Sequence, residues 1–136
     1  MANLNLLKPK VKALATRLIK KCRQQEIEII VTQTLRTLEE QDALYAQGRT
    51  KPGKIVTQAK GGYSFHNFGV AFDICPIVNG KAEWQDENLF KKIGAIGKKI
   101  GLEWGGEWTS FRDLPHFQYL AGYSLADFRN NKIDWK

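Results

Sequence analysis

Residues 70–78, VAFDICPIV, form an apolar run rich in β-branched residues, and Asn79-Gly80 follows at once. Asn-Gly between two extended segments is the strongest short-range hairpin signal, because both residues tolerate the positive φ of a tight turn. The stretch therefore predicts a strand over 70–78, a turn over Val78-Asn79-Gly80-Lys81 and a returning strand near 81–84. Side chains alternate along a strand. Val70, Phe72 and Ile74 point one way, while Ala71, Asp73 and Cys75 point the other. A carboxylate between Ala and Cys in such a strand is costly to bury unless it is paired, hydrogen-bonded or bound to a metal.

One of the chain's two histidines, His66, precedes this acid with six residues between. On a straight strand the two would stand about 23 Å apart. Asn67-Phe68-Gly69 offers a bend, since Asn and Gly accept turn dihedrals, and a bend there folds His66 back beside Asp73. Two ligands with an open position begin a catalytic zinc site. The second histidine, His116, lies in RDLPHFQY with Asp113 three residues ahead. Pro115 suits the first residue of a strand, which places Asp113 on the loop lip, free to turn toward a metal. An acid beside a metal-activated water is the general base and acid that hydrolysis requires. Chemistry alone leaves the plainer alternative open, in which each histidine is an ordinary core or surface residue.

The remaining elements are mixed in order. Val11, Leu14, Ala15, Leu18, Ile19 and Cys22 recur at helical spacing and predict a helix over 10–25. IEIIVTQTL predicts a strand over 27–35. Thr37 followed by Glu40 is a capping box for a helix over 38–47, stopped by Gly48. Residues 49–63 read as a long, basic, glycine-containing loop, a type of segment that is often functional. ENLFKKIGAIGKKIG predicts a third helix with Leu89, Ile93, Ile96 and Ile100 on one face. HFQYL predicts a short strand over 116–120, and Ser124 caps a last short helix. This order favours an α+β fold, a small and mostly antiparallel sheet with flanking helices, in one domain over 1–136 with no wall-binding module visible.

The net charge of +7 draws such a chain to polyanions: nucleic acid, anionic membrane or an anionic cell-wall polymer. The basic residues read as scattered apart from pairs such as Lys20-Lys21, Lys91-Lys92 and Lys98-Lys99. No helix clusters base-reading residues and no RNA-binding signature is present, which disfavours nucleic acid. No apolar run approaches the ~18 residues that span a bilayer. The N-terminal stretch MANLNLLKPKVKALATRLIKK lacks the basic-then-apolar order of a signal peptide. Cys22 and Cys75 form no thiolate metal motif, and buried free thiols are expected over a disulfide.

SFHNFGVAFD resembles the S-x-H-x-x-G-x-A-x-D pattern of the zinc peptidases that include the D-alanyl-D-alanine dipeptidases and carboxypeptidases of the VanX/VanY type. DLPH resembles the acid-x-x-His motif that closes their site. TLRTLEEQDALYAQGRTKPGKIVTQAKGGYSFHNFGVAFDI is similar to the L-alanyl-D-glutamate endopeptidase branch, which contains bacterial cell-wall hydrolases and phage endolysins, and GLEWGGEWTSFRDLPHFQ strengthens the match. The resemblance spans roughly residues 25–120. It implies a zinc ion held by His66, Asp73 and His116, with Asp113 as catalytic base and Arg36 near the substrate carbonyl or carboxylate. It also implies substrate-binding positions for Ser64 and Gln41. One departure is Thr34-Leu35-Arg36, which stands where many relatives have Gly-Tyr-Arg.

The implied reaction is hydrolysis of the L-Ala-D-Glu bond of the peptidoglycan stem peptide, by a monomer acting in the cell wall. The absence of a signal peptide suits release from the cytoplasm during phage or prophage lysis, or a mature fragment of a secreted autolysin. Two alternatives accompany this reading. One is a D-Ala-D-Ala carboxypeptidase or dipeptidase of the same fold, and the other is a non-catalytic, zinc-stabilised wall-binding module. Tyr63, Trp104 and Trp108 are candidates for lining the cleft.

Overall fold

The computed structural model describes residues 1–134. Helix α1 spans Pro9–Gln24, with Pro9 in the first turn, where a missing N–H costs nothing. It buries Val11, Leu14, Ala15, Leu18 and Cys22 along one stripe. Strand β1 is Glu28–Gln33. Helix α2, Leu38–Ala46, opens on the expected box: Glu40 N donates to Thr37 Oγ1 at 3.0 Å and Thr37 N donates to Glu40 Oε1 at 2.9 Å. Then follow β2 (Ala71–Val78), β3 (Lys81–Ala82), α3 (Glu87–Lys99), β4 (Glu103–Trp104), β5 (His116–Gln118) and α4 (Leu125–Arg129). The β2–β3 turn has φ of 52° at Asn79 and 77° at Gly80, the doubly positive pair that the Asn-Gly signal predicts.

All pairings in the sheet are antiparallel, in the order β1-β2-β5-β4, with β3 also paired to β2. Among the described residues, four α-helices and this sheet make the expected α+β fold. The register does two things. It sets Phe72 opposite Phe117 and Asp73 opposite His116. Neighbouring positions thus face opposite ways, so one face of the β2–β5 pair is apolar and the other is chemical. On the apolar face, Phe72 and Phe117 stack with centroids 5.9 Å apart. α1 and α3 cover that face and share one core cluster with it, which includes Leu14, Leu18, Ile74, Phe90 and Ile93. Gly97 of α3 lies so close to Phe117 that an added Cβ would sit 2.5 Å from the ring.

One expectation shifts in detail. The inward face of α3 is Phe90, Ile93, Gly94, Ile96 and Gly97, while Leu89 and Ile100 are only partly buried at its margins. The reason is packing against the Trp104 and Phe117 rings, which the two glycines admit. Cys22 and Cys75 are buried and free, and burial pushes the Cys22 thiol up to about 11. No described helix is long and apolar enough to cross a membrane.

Candidate metal centre

His66 reaches the site through a bend, as its neighbours suggest. Residues Phe65–Phe68 form one 3-10 turn, opened by Ser64 and closed by Gly69 at φ 71°, where a side chain would be strained. Ser64 Oγ accepts from His66 N at 3.2 Å, and Asn67 Oδ1 accepts from Ser64 N at 3.2 Å. Arg36 N donates to His66 O at 2.9 Å, and Asn67 Nδ2 donates to Arg36 O at 2.9 Å. The turn is therefore stitched to the segment that follows β1. His116 arrives from the other side, on the first residue of β5, directly across from Asp73.

The three side chains meet. Asp73 Oδ1 lies 3.3 Å from His66 Nε2 and 3.4 Å from His116 Nδ1, and one ligand atom from each residue falls within 4.8 Å of the others. The far nitrogens are anchored. His66 Nδ1 lies 3.0 Å from Thr34 O, and His116 Nε2 lies 2.7 Å from Gln118 Oε1. Neither oxygen can donate, so each of those nitrogens carries the proton. A neutral imidazole then presents a lone pair at His66 Nε2 and at His116 Nδ1, both aimed at the carboxylate. Asp73 Oδ1 is buried and makes no hydrogen bond. Three electron-rich atoms facing one another need a positive charge between them. A divalent ion with nitrogen and oxygen ligands meets that need, and the anchoring of each histidine by its outer nitrogen is the usual support for such a ligand.

The titration of the metal-free cluster agrees with this electrostatics. Burial pushes Asp73 up, but the nearby His116 and His66 rings, which favour its charged form, win and hold it well below the usual carboxylate range. Burial pulls His116 down, but Asp73, Gln118 and Asp113 together raise it. Asp113 differs from Asp73. It stands on the lip with its side chain 44% exposed and Oδ2 3.9 Å from His116 Nδ1. Burial and the Asp73 charge raise its pKa, against the pull of His116, His66 and Arg36. A carboxylate of raised basicity next to the cluster is suited to taking a proton.

Arg36 lines the same cleft, together with Ser64, Trp108 and Gln118. Burial lowers its pKa, and the charges of Asp73, Asp113 and Glu40 oppose that. Its Nη1 donates to Gln41 Oε1 at 2.8 Å. Gln41 itself is fully buried behind Arg36 and is absent from the cleft wall. Its amide donates to Ala59 O at 2.6 Å and to Thr57 Oγ1 at 3.4 Å. One buried amide thus ties the arginine to the 49–63 loop, which forms a wall of a cleft of about 980 Å³.

Of the three aromatics, Tyr63 and Trp108 line the cleft, and the Trp108 ring lies 4.9 Å from that of His116. Trp104 belongs to the core instead, 8% exposed, with Nε1 donating to Leu114 O at 2.7 Å. Its place is made by Gly94 and Gly106, against which its ring packs. Sequence reasoning missed Gln118 and Gly105. Gln118 was legible as the residue two beyond His116 on the same strand face. Gly105 is a point of close approach, where an added Cβ would sit 2.5 Å from Asp113 O and 3.1 Å from His116 Cβ.

Comparison with known proteins finds relatives that are peptidases. The profile of a family described as D-alanyl-D-alanine carboxypeptidase matches residues 57–119. The peptidoglycan L-alanyl-D-glutamate endopeptidase CwlK of Bacillus subtilis is 38% identical, over 84% of this chain and 74% of its own. The L-alanyl-D-glutamate peptidase of Listeria phage A118 is 31% identical, over 94% of this chain and 43% of the phage protein. The fold is shared with the L-Ala D-Glu endopeptidase ChiX of Serratia marcescens, at a TM-score of 0.65 and 22% identity over 93% of this chain and 87% of that one. It is also shared with a vancomycin-resistance D,D-pentapeptidase, VanY, whose structure is a complex with Zn(II), at a TM-score of 0.63 and 17% identity over 91% of this chain and 78% of that one.

Proposed function

The chain belongs to the D-alanyl-D-alanine carboxypeptidase family of peptidases, and from that premise we propose that it is a zinc-dependent peptidoglycan endopeptidase cleaving the L-Ala-D-Glu bond of the stem peptide. The observation that carries the reading is Asp73 Oδ1, buried without a hydrogen bond between His66 Nε2 and His116 Nδ1. Those three residues fit a zinc ion in kind and in arrangement. The L-Ala-D-Glu preference is supported by the two curated relatives, both of which carry that activity in their names.

In this reading His66, Asp73 and His116 hold the metal, with Thr34 O and Gln118 Oε1 fixing the two rings. When bound, zinc supplies Lewis acidity and lowers the pKa of water from 15.7 toward ~7. Asp113 takes the proton of the attacking water on its carboxylate and later delivers it to the nitrogen of the departing amine. The raised basicity of that carboxylate suits both transfers. Arg36 faces the developing negative charge on the carbonyl oxygen, held in place by Gln41. Ser64 orders the His66 turn through its own hydroxyl. Residues 1–136 act as one catalytic domain at the wall.

Mass spectrometry of fragments released from purified wall, with and without added zinc, tests the proposal. New L-alanine C-termini and D-glutamate N-termini that appear only with zinc are the expected result. Release of free D-alanine alone, or no release at all, overturns it.

A further inference from the structure

α1 and α3 pack side by side on the sheet face that points away from the cleft. Between them they carry ten of the chain's 21 lysines and arginines but one of its 14 acids, a net charge of +9. The whole chain is +7, so everything outside these two helices is net −2. The basic residues that look scattered in sequence are gathered by the fold into one layer. Their stripes of buried residues face the sheet, and the cations occupy the outward sides. Among the described residues only Lys98 in this layer has an ion pair, with Glu107. The nearby acids, Glu26, Asp86 and Glu87, stand at the helix ends. Like charges crowded in this way repel, and they create a strong positive field that a polyanion would relieve.

The surface also narrows the kind of polyanion. α1 contains no aromatic residue, and the one aromatic of α3, Phe90, is buried. The layer therefore offers no aromatic platform for nucleic-acid bases. None of the exposed large apolar residues lies on either helix, so the layer has nothing to insert into a lipid bilayer. A flexible chain of repeating phosphates without bases or acyl chains fits both facts.

We propose that the α1–α3 layer is a docking surface for an anionic phosphodiester polymer of the bacterial wall. The proposal rests on the reading that the cleft acts on wall stem peptides. Polymer bound on this layer leaves the cleft, on the other side of the sheet, open to substrate. Retention on the wall and peptide turnover are therefore separable.

Cosedimentation with purified walls tests this, in an Asp113→Asn background so that the walls stay intact. Walls carrying the polymer are compared with the same walls stripped of it by acid. One variant combines Arg17→Gln, Lys20→Gln, Lys91→Gln and Lys92→Gln. A second removes the same charge elsewhere, through Lys51→Gln, Lys54→Gln, Lys81→Gln and Lys132→Gln. The expected result is a fall in binding of at least about tenfold on stripped walls and for the first variant, and of less than about threefold for the second, with binding weakening steeply as salt rises. Equal losses for the two variants would mean diffuse net-charge attraction and would overturn the surface. Undiminished binding to stripped walls, or tighter binding to duplex DNA or to phosphatidylglycerol vesicles than to the isolated polymer, would overturn the partner. Turnover of a soluble stem peptide, measured with Asp113 restored, is expected to stay within about twofold for the first variant. Loss of that turnover in the unmutated protein counts against the endopeptidase reading and leaves the binding result standing on its own.

Discussion

The amide oxygen of Gln41 holds the Arg36 guanidinium at 2.8 Å from a position with no solvent exposure. The same amide reaches Ala59 O in the opposite wall of the cleft. Gln41 therefore acts on the site through Arg36 and the 49–63 loop. Gln41→Ala is expected to lower kcat/KM about tenfold, ~1.4 kcal/mol of transition-state stabilisation. It also leaves buried donors and acceptors unmet, which costs about 1–3 kcal/mol of stability. Gln41→Glu keeps an acceptor for Arg36 but sets a carboxylate against the Ala59 carbonyl. It is expected to raise KM with less effect on kcat. Equal kcat losses for both substitutions would refute a positioning role.

Asp113 stands outside the three-residue cluster, on the lip. Asp113→Asn is expected to cut kcat by about 10²–10⁴-fold while zinc content, measured by elemental analysis of the purified protein, stays at one per chain. Full activity in this variant would remove Asp113 from the reaction.

Gln118 lines the cleft, and its side-chain oxygen lies 2.7 Å from His116 Nε2, where it fixes the ring's tautomer. Gln118→Ala is expected to weaken zinc binding by about 10–100-fold in a chelator competition titration. An unchanged affinity would mean that the Gln118 contact leaves the ring's coordination unaffected.

In the metal-free protein His116 is raised above its ordinary 6.5, because the charge and hydrogen bonding of Asp73, Gln118 and Asp113 outweigh burial. A zinc ion binding there would have to displace that proton. Apparent affinity is therefore expected to climb with pH, about tenfold per unit, and to level off only once pH passes the raised value, above 6.5. The stability of the metal-free protein runs the opposite way. A raised histidine gives stability that is complete below its unfolded pKa and is lost as pH rises through the folded one. Chelator-treated protein should thus lose some stability on moving above pH 6.5, and zinc-loaded protein should not. Melting curves at several pH values, with and without chelator, check this, and parallel curves for the two forms would contradict it.

Gly105 admits the Asp113 backbone where no side chain fits. Gly105→Ala is expected to cost about 1–3 kcal/mol of stability and, at temperatures where the protein stays folded by circular dichroism, to lower turnover by displacing Asp113. Normal turnover in a fully folded variant would show that the lip adjusts freely.

Much of this was legible in the chain because local signals and global pattern agree. Thr37 with Glu40, Asn79 with Gly80, and the alternation through Asp73 each specify their own structure from neighbouring residues. The bend at 67–69 was legible because Asn67 and Gly69 accept its dihedrals, and the structure closes it with Gly69 at φ 71°. What stayed hidden depends on distant contacts. Trp104 was a candidate for the cleft but packs in the core, because Gly94 and Gly106 leave room for its ring, and no local spacing reveals that. The Thr34 carbonyl that orients His66 is a backbone atom, invisible to any reading of side chains. The clustering of charge on α1 and α3 appears only once two helices far apart in sequence lie together.

Strand β2 carries the carboxylate on one face and Phe72 and Ile74 on the other, one residue out of step. A slip of a single position against β5 would drive the acid into the oily interior and present an aromatic ring to the solvent. A misthreaded molecule would thus lose its chemistry and gain a sticky surface in the same step, so correct pairing and a working site come together.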